Sequence, residues 1–280
     1  MKLSEEKYKF LLENHIILTD KQYTLFPDEV ILCGYRGSVV HNMYIPANKP
    51  CGIDDIDLVS IYFATPYYYL GLGNKEYAKV HEKFVGVYDT VSYEIRHFFN
   101  LLTKSNPSSL SLLWIPPEFY FKKSKVGEYI IENRDIFTSK KIYNTFTGYA
   151  FDQLKRTTKF QTKGYMGEKR KLLVERFGFD TKNAAHCIRL LEMGIEFLKT
   201  GQLNVFREFP DKLLSIRNGE LSLEEIKQLA ETLAKVAESE YNKSKLPDEP
   251  HTLKIERLLS EILHTYLKDW KPSWQTGWRK

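Results

Sequence analysis

The chain has 280 residues, 42% hydrophobic and 28% charged, a balance that suits an ordinary globular protein of about two domains. Glycine (15) and proline (11) are too sparse for a collagen-like or low-complexity chain, and no apolar run approaches the ~20 residues that span a bilayer. The net charge of +5 is compatible with nucleotide or RNA partners without demonstrating either.

Residues 1–15 (MKLSEEKYKFLLENH) are too charged for a signal peptide, so a cytoplasmic location without a membrane partner is expected. Within them, 4–14 reads as a short helix with Ser4 as its N-cap. EVILCGYRGS (29–38) is a β-rich run ending in glycines and a serine, and IDDIDLVSIYFA (53–64) alternates before turning continuously apolar, as a buried strand does. DTVSYEIRHFFNLLTK (89–104) opens β-like and becomes a helix carrying Phe98, Leu101 and Leu102. From about residue 121 the β signal fades. Helices are expected over 140–156, over 181–201 with Gly201 as C-cap, over 222–241 behind a Ser222/Glu225 capping box, and over 253–267. Cys33, Cys51 and Cys187 are odd in number and form no CxxC pair, which indicates neither a disulfide framework nor a zinc site.

The most informative stretch is Gly37-Ser38 followed by Asp54-Asp55-Ile56-Asp57-Leu58. In a strand Asp55 and Asp57 share one face, and Ile56 and Leu58 the other. Two carboxylates about 7 Å apart repel unless a cation lies between them, and hard oxygen ligands suit Mg²⁺, with Mn²⁺ as a substitute. The upstream Gly-Ser lets backbone N–H groups approach a phosphate. On spacing alone, an acidic turn ahead of a core strand explains the pattern equally well.

Further along, Lys182, His186 and Arg189 recur at i, i+4 and i+7, within roughly 60° on a helix, opposite Ala184, Ile188, Leu191, Ile195 and Leu198. That face meets solvent or a cleft. In a cleft its charges suit a triphosphate, with His186 donating to phosphate or base. Residues 151–176 carry eight Lys/Arg against three acids, interleaved with Phe160 and Tyr165, either as a solvated face or as a groove for a polyanion. Trp270, Trp274 and Trp278 read as a packing tail interrupted by Pro272.

Gly-Ser followed by Asp-hydrophobic-Asp-hydrophobic resembles the polymerase-beta-like nucleotidyltransferase superfamily. More narrowly, the chain resembles predicted nucleotidyltransferases associated with RNA ligase and RNA repair genes in bacteria and phages. The resemblance rests on GYRGS (34–38), His41, DDIDL (54–58), YEIRHF (93–98), NPSSLSLLW (106–114), GYA (148–150), GYMGEKRK (164–171), DTKNAAHCIRLL (180–191) and LLSIRNGE (213–220), in order along the chain. The sixteen residues 39–54 between Ser38 and Asp55 exceed the superfamily's usual spacing and have the composition of a loop, suited to a lid.

The resemblance implies an α+β fold, with a mixed-sheet nucleotidyltransferase core over 1–120 and an all-helical domain over 121–280. It implies Mg²⁺-dependent transfer of a nucleoside monophosphate from an NTP, releasing pyrophosphate. Asp55, Asp57 and a third carboxylate hold the metal. Glu94, inside the matched YEIRHF block, is the expected third ligand, and Asp89 is its competitor. Gly37, Ser38, Lys182, His186 and Arg189 are the expected nucleotide contacts, and RNA the expected acceptor. The alternatives are a non-catalytic RNA- or nucleotide-binding protein and an enzyme that modifies a protein or small molecule.

Overall fold

The computed structural model describes residues 25–45, 51–52, 56–72, 79–158, 168–268 and 270–271. The expected helix at 4–14, Asp55, part of the 39–54 loop, the centre of the basic segment, Trp274 and Trp278 lie outside the described residues.

Five strands form one sheet: β1 (Val30–Tyr35), β2 (Ile56–Tyr62), β3 (Val80–Val85), β4 (Tyr88–Glu94) and β5 (Tyr120–Lys123). Their order is β3-β4-β2-β1-β5. β1 is buried at every residue because it lies between β2 and β5, which explains its unbroken apolar run. β2 and β4 are parallel, and the remaining pairs are antiparallel. The β2–β4 register is unbroken from Ile56 opposite Tyr88 to Tyr62 opposite Glu94. β5 falls where the sequence pattern turns helical. Four residues, YFKK, are too few to show a period, and the strand exists because β1 has an edge for it.

The helices of the first half are α1 (Gly37–Val40), α2 (Pro66–Leu70), α3 (Ile95–Thr103), α4 (Pro107–Trp114) and α5 (Lys125–Glu132). α3 buries Ile95, Phe98, Phe99 and Leu102, an i, i+3, i+4, i+7 stripe. It starts abruptly at the end of β4 because Glu94 caps it. The carboxylate accepts from the backbone N–H groups of Arg96 and His97 at 3.0 Å each and from the Tyr69 hydroxyl at 2.8 Å. Asn106 caps α4 in the same way through Ser109 N–H, with Pro107 in the first turn.

Past β5 and α5 the elements among the described residues are helices: α6 (Ile142–Thr158), α7 (Glu168–Phe177), α8 (Thr181–Thr200), α9 (Asp211–Arg217), α10 (Leu223–Lys243) and α11 (Thr252–Leu267). α8 is the central helix, packed by α6, α9 and α10. Asp180 caps its start by accepting from Asn183 N–H at 3.0 Å, and Gly201, at φ 71°, ends it in the left-handed conformation. α10 opens with the expected capping box of Ser222 and Glu225. One hydrophobic core joins both halves, running from Leu32, Leu58 and Phe98 under the sheet to Phe146, Ile188, Phe197 and Ile226 among the helices. The fold is α+β with a helical C-terminal part. Among the described residues no helix is long and apolar enough to cross a membrane.

The capping role of Glu94 yields a stability prediction. Glu94→Ala removes the acceptor of two backbone N–H groups and of the Tyr69 O–H at a buried position, and is expected to cost about 2–3 kcal/mol in urea unfolding. A loss below about 0.5 kcal/mol would show that the cap contributes nothing.

Candidate active site

The site begins where β1 ends. Arg36 donates its backbone N–H to the Asp57 carbonyl at 2.9 Å, holding the turn after β1 against β2. Gly37 follows with φ +66°, a conformation that side chains resist. A Cβ at Gly37 would also overlap the Asp57 carboxylate. Glycine is therefore required twice over, by the turn and by the carboxylate it accommodates. Ser38 comes next, in the first turn of α1.

Asp57 on β2 and Asp89 on β4 are direct partners in the parallel register, so their side chains leave the same face of the sheet. Arg36 reaches over both. One guanidinium nitrogen lies 3.7 Å from an Asp57 oxygen and 3.2 Å from an Asp89 oxygen.

A cavity of about 250 Å³ opens beside Asp57. Gly37, Ser38 and Asp57 line it from the sheet side, and Lys182, His186 and Arg189 line it from α8. Arg36 and Arg217 add further cationic surface, while Asp57 is the one acid among the described lining residues. This balance favours an anionic occupant.

Arg189 is buried, and no carboxylate lies within ion-pair distance of it among the described residues. Its guanidinium donates to the Nε2 atom of His41 and to the Met193 sulfur at 3.3 Å. The His41 Nδ1–H donates in turn to the Val205 carbonyl at 2.8 Å, which fixes the tautomer and leaves Nε2 as the acceptor. Burial first, and then the Arg189 charge, hold the His41 pKa well below its ordinary value, so the ring is neutral. Burial likewise lowers the Arg189 pKa. A neutral histidine thus orients the cation without cancelling its charge.

The same segment is tied to the helical half at further points. Asn42 donates to the Arg207 carbonyl at 2.9 Å, and Arg217 on α9 donates to the carbonyls of Met43 at 3.0 Å and Cys51 at 3.2 Å. The chain after Ser38 is therefore held by α9 and by the connection between α8 and α9.

Of the residues expected from sequence, Gly37, Ser38, Asp57, Lys182, His186 and Arg189 surround one cavity. The α8 face meets a cleft, not solvent. Asp55 lies outside the described residues. Glu94 is not brought to the site. It stands opposite Tyr62, five residues beyond Asp89, about 16 Å along β4 and on the other face, with its oxygens engaged in capping α3. The position beside Asp57 belongs to Asp89. Asp57 and Asp89 supply two carboxylates, and no cluster of three or more metal-ligating side chains occurs among the described residues.

Sequence reasoning assigned no role to Arg36, His41 or Arg217. Parity was the available signal for the carboxylates: within one strand, Asp89 and Glu94 are an odd number of residues apart and cannot share a face. No comparable signal marked His41 or Arg217, whose partners are 148 and 174 residues away.

A mixed five-stranded sheet followed by a helical C-terminal part is a nucleotidyltransferase-like α+β fold. The chain matches the RNA repair pathway DNA polymerase beta family over residues 50–275 and belongs to that family. The matched region includes Asp57, Asp89 and all of α8, while Gly37 and Ser38 precede it. No curated protein matches the chain. Among solved structures it is similar to a nucleotidyltransferase-like protein from Exiguobacterium sibiricum 255-15, at 12% identity and a TM-score of 0.27 over 88% of this chain and 77% of that one. That likeness is too slight to bear on the site.

The neutral His41 predicts a pH dependence. The unfolded chain takes up a proton on this histidine near pH 6.5 and the folded one does not, so stability is lost as pH falls below about 6.5, by at most ~1.4 kcal/mol per pH unit. His81 and His97 shift in the same direction, chiefly by burial, so the contribution of His41 needs a variant. His41→Asn retains a donor for Val205 and is expected to flatten the stability profile between pH 6.5 and 5. Parallel profiles for variant and wild type would contradict a neutral, buried His41.

Proposed function

We infer that the protein transfers a nucleoside monophosphate from an NTP to an acceptor hydroxyl, with a divalent cation held by Asp57 and Asp89 and with RNA as the acceptor. One observation carries this reading. Asp57 borders a cavity whose other wall presents Lys182, His186 and Arg189, and Asp89 stands in register beside Asp57 on the adjacent strand.

The donor set suits the cation. Asp57 and Asp89 offer hard oxygens side by side, and their oxygens already share one positive group, the Arg36 guanidinium. Asp55, two residues before Asp57, is the further ligand that the sequence pattern supplies. Asp57 and Asp89 would hold Mg²⁺ or Mn²⁺, which would lower the pKa of an acceptor hydroxyl and offset charge on the departing pyrophosphate.

The chain's own groups do the positioning. Gly37, which carries no side chain, leaves room for the Asp57 carboxylate at the edge of the cavity. Arg189, aimed by His41, and Lys182 bind phosphate oxygens from the opposite wall, and His186 donates to phosphate or base. Held from two sides, the α-phosphate is oriented for in-line attack, and such placement is a large part of the barrier reduction in phosphoryl and nucleotidyl transfer. The family membership and the positive charge of 151–176 favour RNA over a small acceptor.

Incubation with each labelled NTP, Mg²⁺ and total cell RNA or protein tests the reading. Label is expected in RNA, with pyrophosphate released. Asp57→Asn and Asp89→Asn are each expected to lower turnover at least a hundredfold, whereas Glu94→Gln, if folded, keeps most of it. Label appearing in protein would overturn RNA as acceptor. Nucleotide binding without pyrophosphate release under every acceptor would overturn the transferase reading.

A further inference from the structure

Arg36 makes the contact that a divalent cation would make. Its guanidinium nitrogen lies 3.7 Å from Asp57 and 3.2 Å from Asp89, and its Nε is buried without a hydrogen-bond partner. The residue cannot drift away with its loop, because its backbone N–H is bonded to the Asp57 carbonyl and Gly37 follows immediately in a fixed left-handed turn. A metal ion and this guanidinium therefore compete for the same oxygens. Once displaced toward the cavity, the side chain has poor alternatives there. The cavity beside it is lined by Lys182, Arg189 and Arg217, and Asp57 is the one acid among the described lining residues. A cation pushed from the aspartates into a cationic cavity needs an anion to receive it.

We propose that Arg36 is an exchange residue that couples metal entry to nucleotide binding: it neutralises Asp57 and Asp89 until a divalent cation displaces it, and it then pairs with the phosphates of the incoming NTP. This rests on the reading of Asp57 and Asp89 as metal ligands. The consequence is reciprocal. Metal alone binds weakly because it must displace Arg36 at a loss, and nucleotide restores the affinity by accepting the displaced charge. Removing the guanidinium strengthens binding of metal alone and weakens the coupling. No bond is made or broken in the exchange.

Mn²⁺ binding to the full chain tests this without any turnover, with free Mn²⁺ followed by electron paramagnetic resonance, in the absence and presence of α,β-methylene ATP. Arg36→Gln is expected to bind Mn²⁺ alone about twofold to fivefold more tightly than wild type, the size of one partly exposed ion pair. The enhancement by nucleotide should shrink by a similar factor. The enhancement that comes from Mn²⁺ binding the analogue itself is common to both proteins and cancels in the comparison. Arg36→Lys, which keeps charge but not the planar fork, is expected to fall between them and serves as the second variant if the glutamine form does not fold. Unchanged or weaker Mn²⁺ binding in the variants, with Asp57→Asn abolishing it, would overturn the exchange while leaving the metal site in place. Absence of Mn²⁺ binding in wild type and variants alike would overturn the metal reading and the exchange together.

Discussion

Asp57 and Asp89 stand side by side because β2 and β4 run parallel and in register, about 4.8 Å apart, and most of the site follows from that pairing. Two carboxylates so placed repel strongly unless a cation neutralises them. Arg36 does so from the end of β1, where its backbone is bonded to the same Asp57 residue. The turn that brings Arg36 there requires a left-handed residue next, and the nearby carboxylate requires that residue to have no side chain. Gly37 satisfies both conditions. Two adjacent residues, Arg36 and Gly37, thus answer a constraint set by strands that are distant in the chain.

The helical half completes what the sheet begins. α8 is buried on nearly all sides, so a charged residue on it is retained only at a cost in desolvation. Arg189 is such a residue. Its partners are a neutral imidazole and a thioether, neither of which balances its charge. A buried cation oriented by neutral groups and facing a cavity is poised for an anion that arrives from outside. The bonds from Asn42 and Arg217 join the chain after Ser38 to the α8–α9 connection and to α9, so the two walls are spaced by the fold itself.

How much of this the sequence disclosed depended on whether the signal was local. α8, with its Gly201 stop, and the capping box of α10 were legible because caps and 3.6-residue periods lie within one segment. The face carrying Lys182, His186 and Arg189 was legible for the same reason, although periodicity could not say whether it met solvent or a cleft. Glu94 misled because it sits in a matched block at the strand–helix junction, where a carboxylate is equally useful as a cap. Parity within β4 sets Asp89 and Glu94 on opposite faces, but which of them stands beside Asp57 follows from strand pairing, a property of two segments. β5 was too short to register, and the His41–Arg189 contact spans 148 residues, beyond the reach of any spacing argument.

The central claim is that Asp57 and Asp89, and not Glu94, form the acidic centre that serves the cationic cavity. Crystals grown with Mn²⁺ and α,β-methylene ATP test it most directly, through the anomalous scattering of manganese. The account predicts a manganese peak within coordination distance of Asp57 and Asp89, with the triphosphate extending toward Arg189 and Lys182. A peak at Glu94, or a nucleotide bound away from the cavity between β2 and α8, would contradict it.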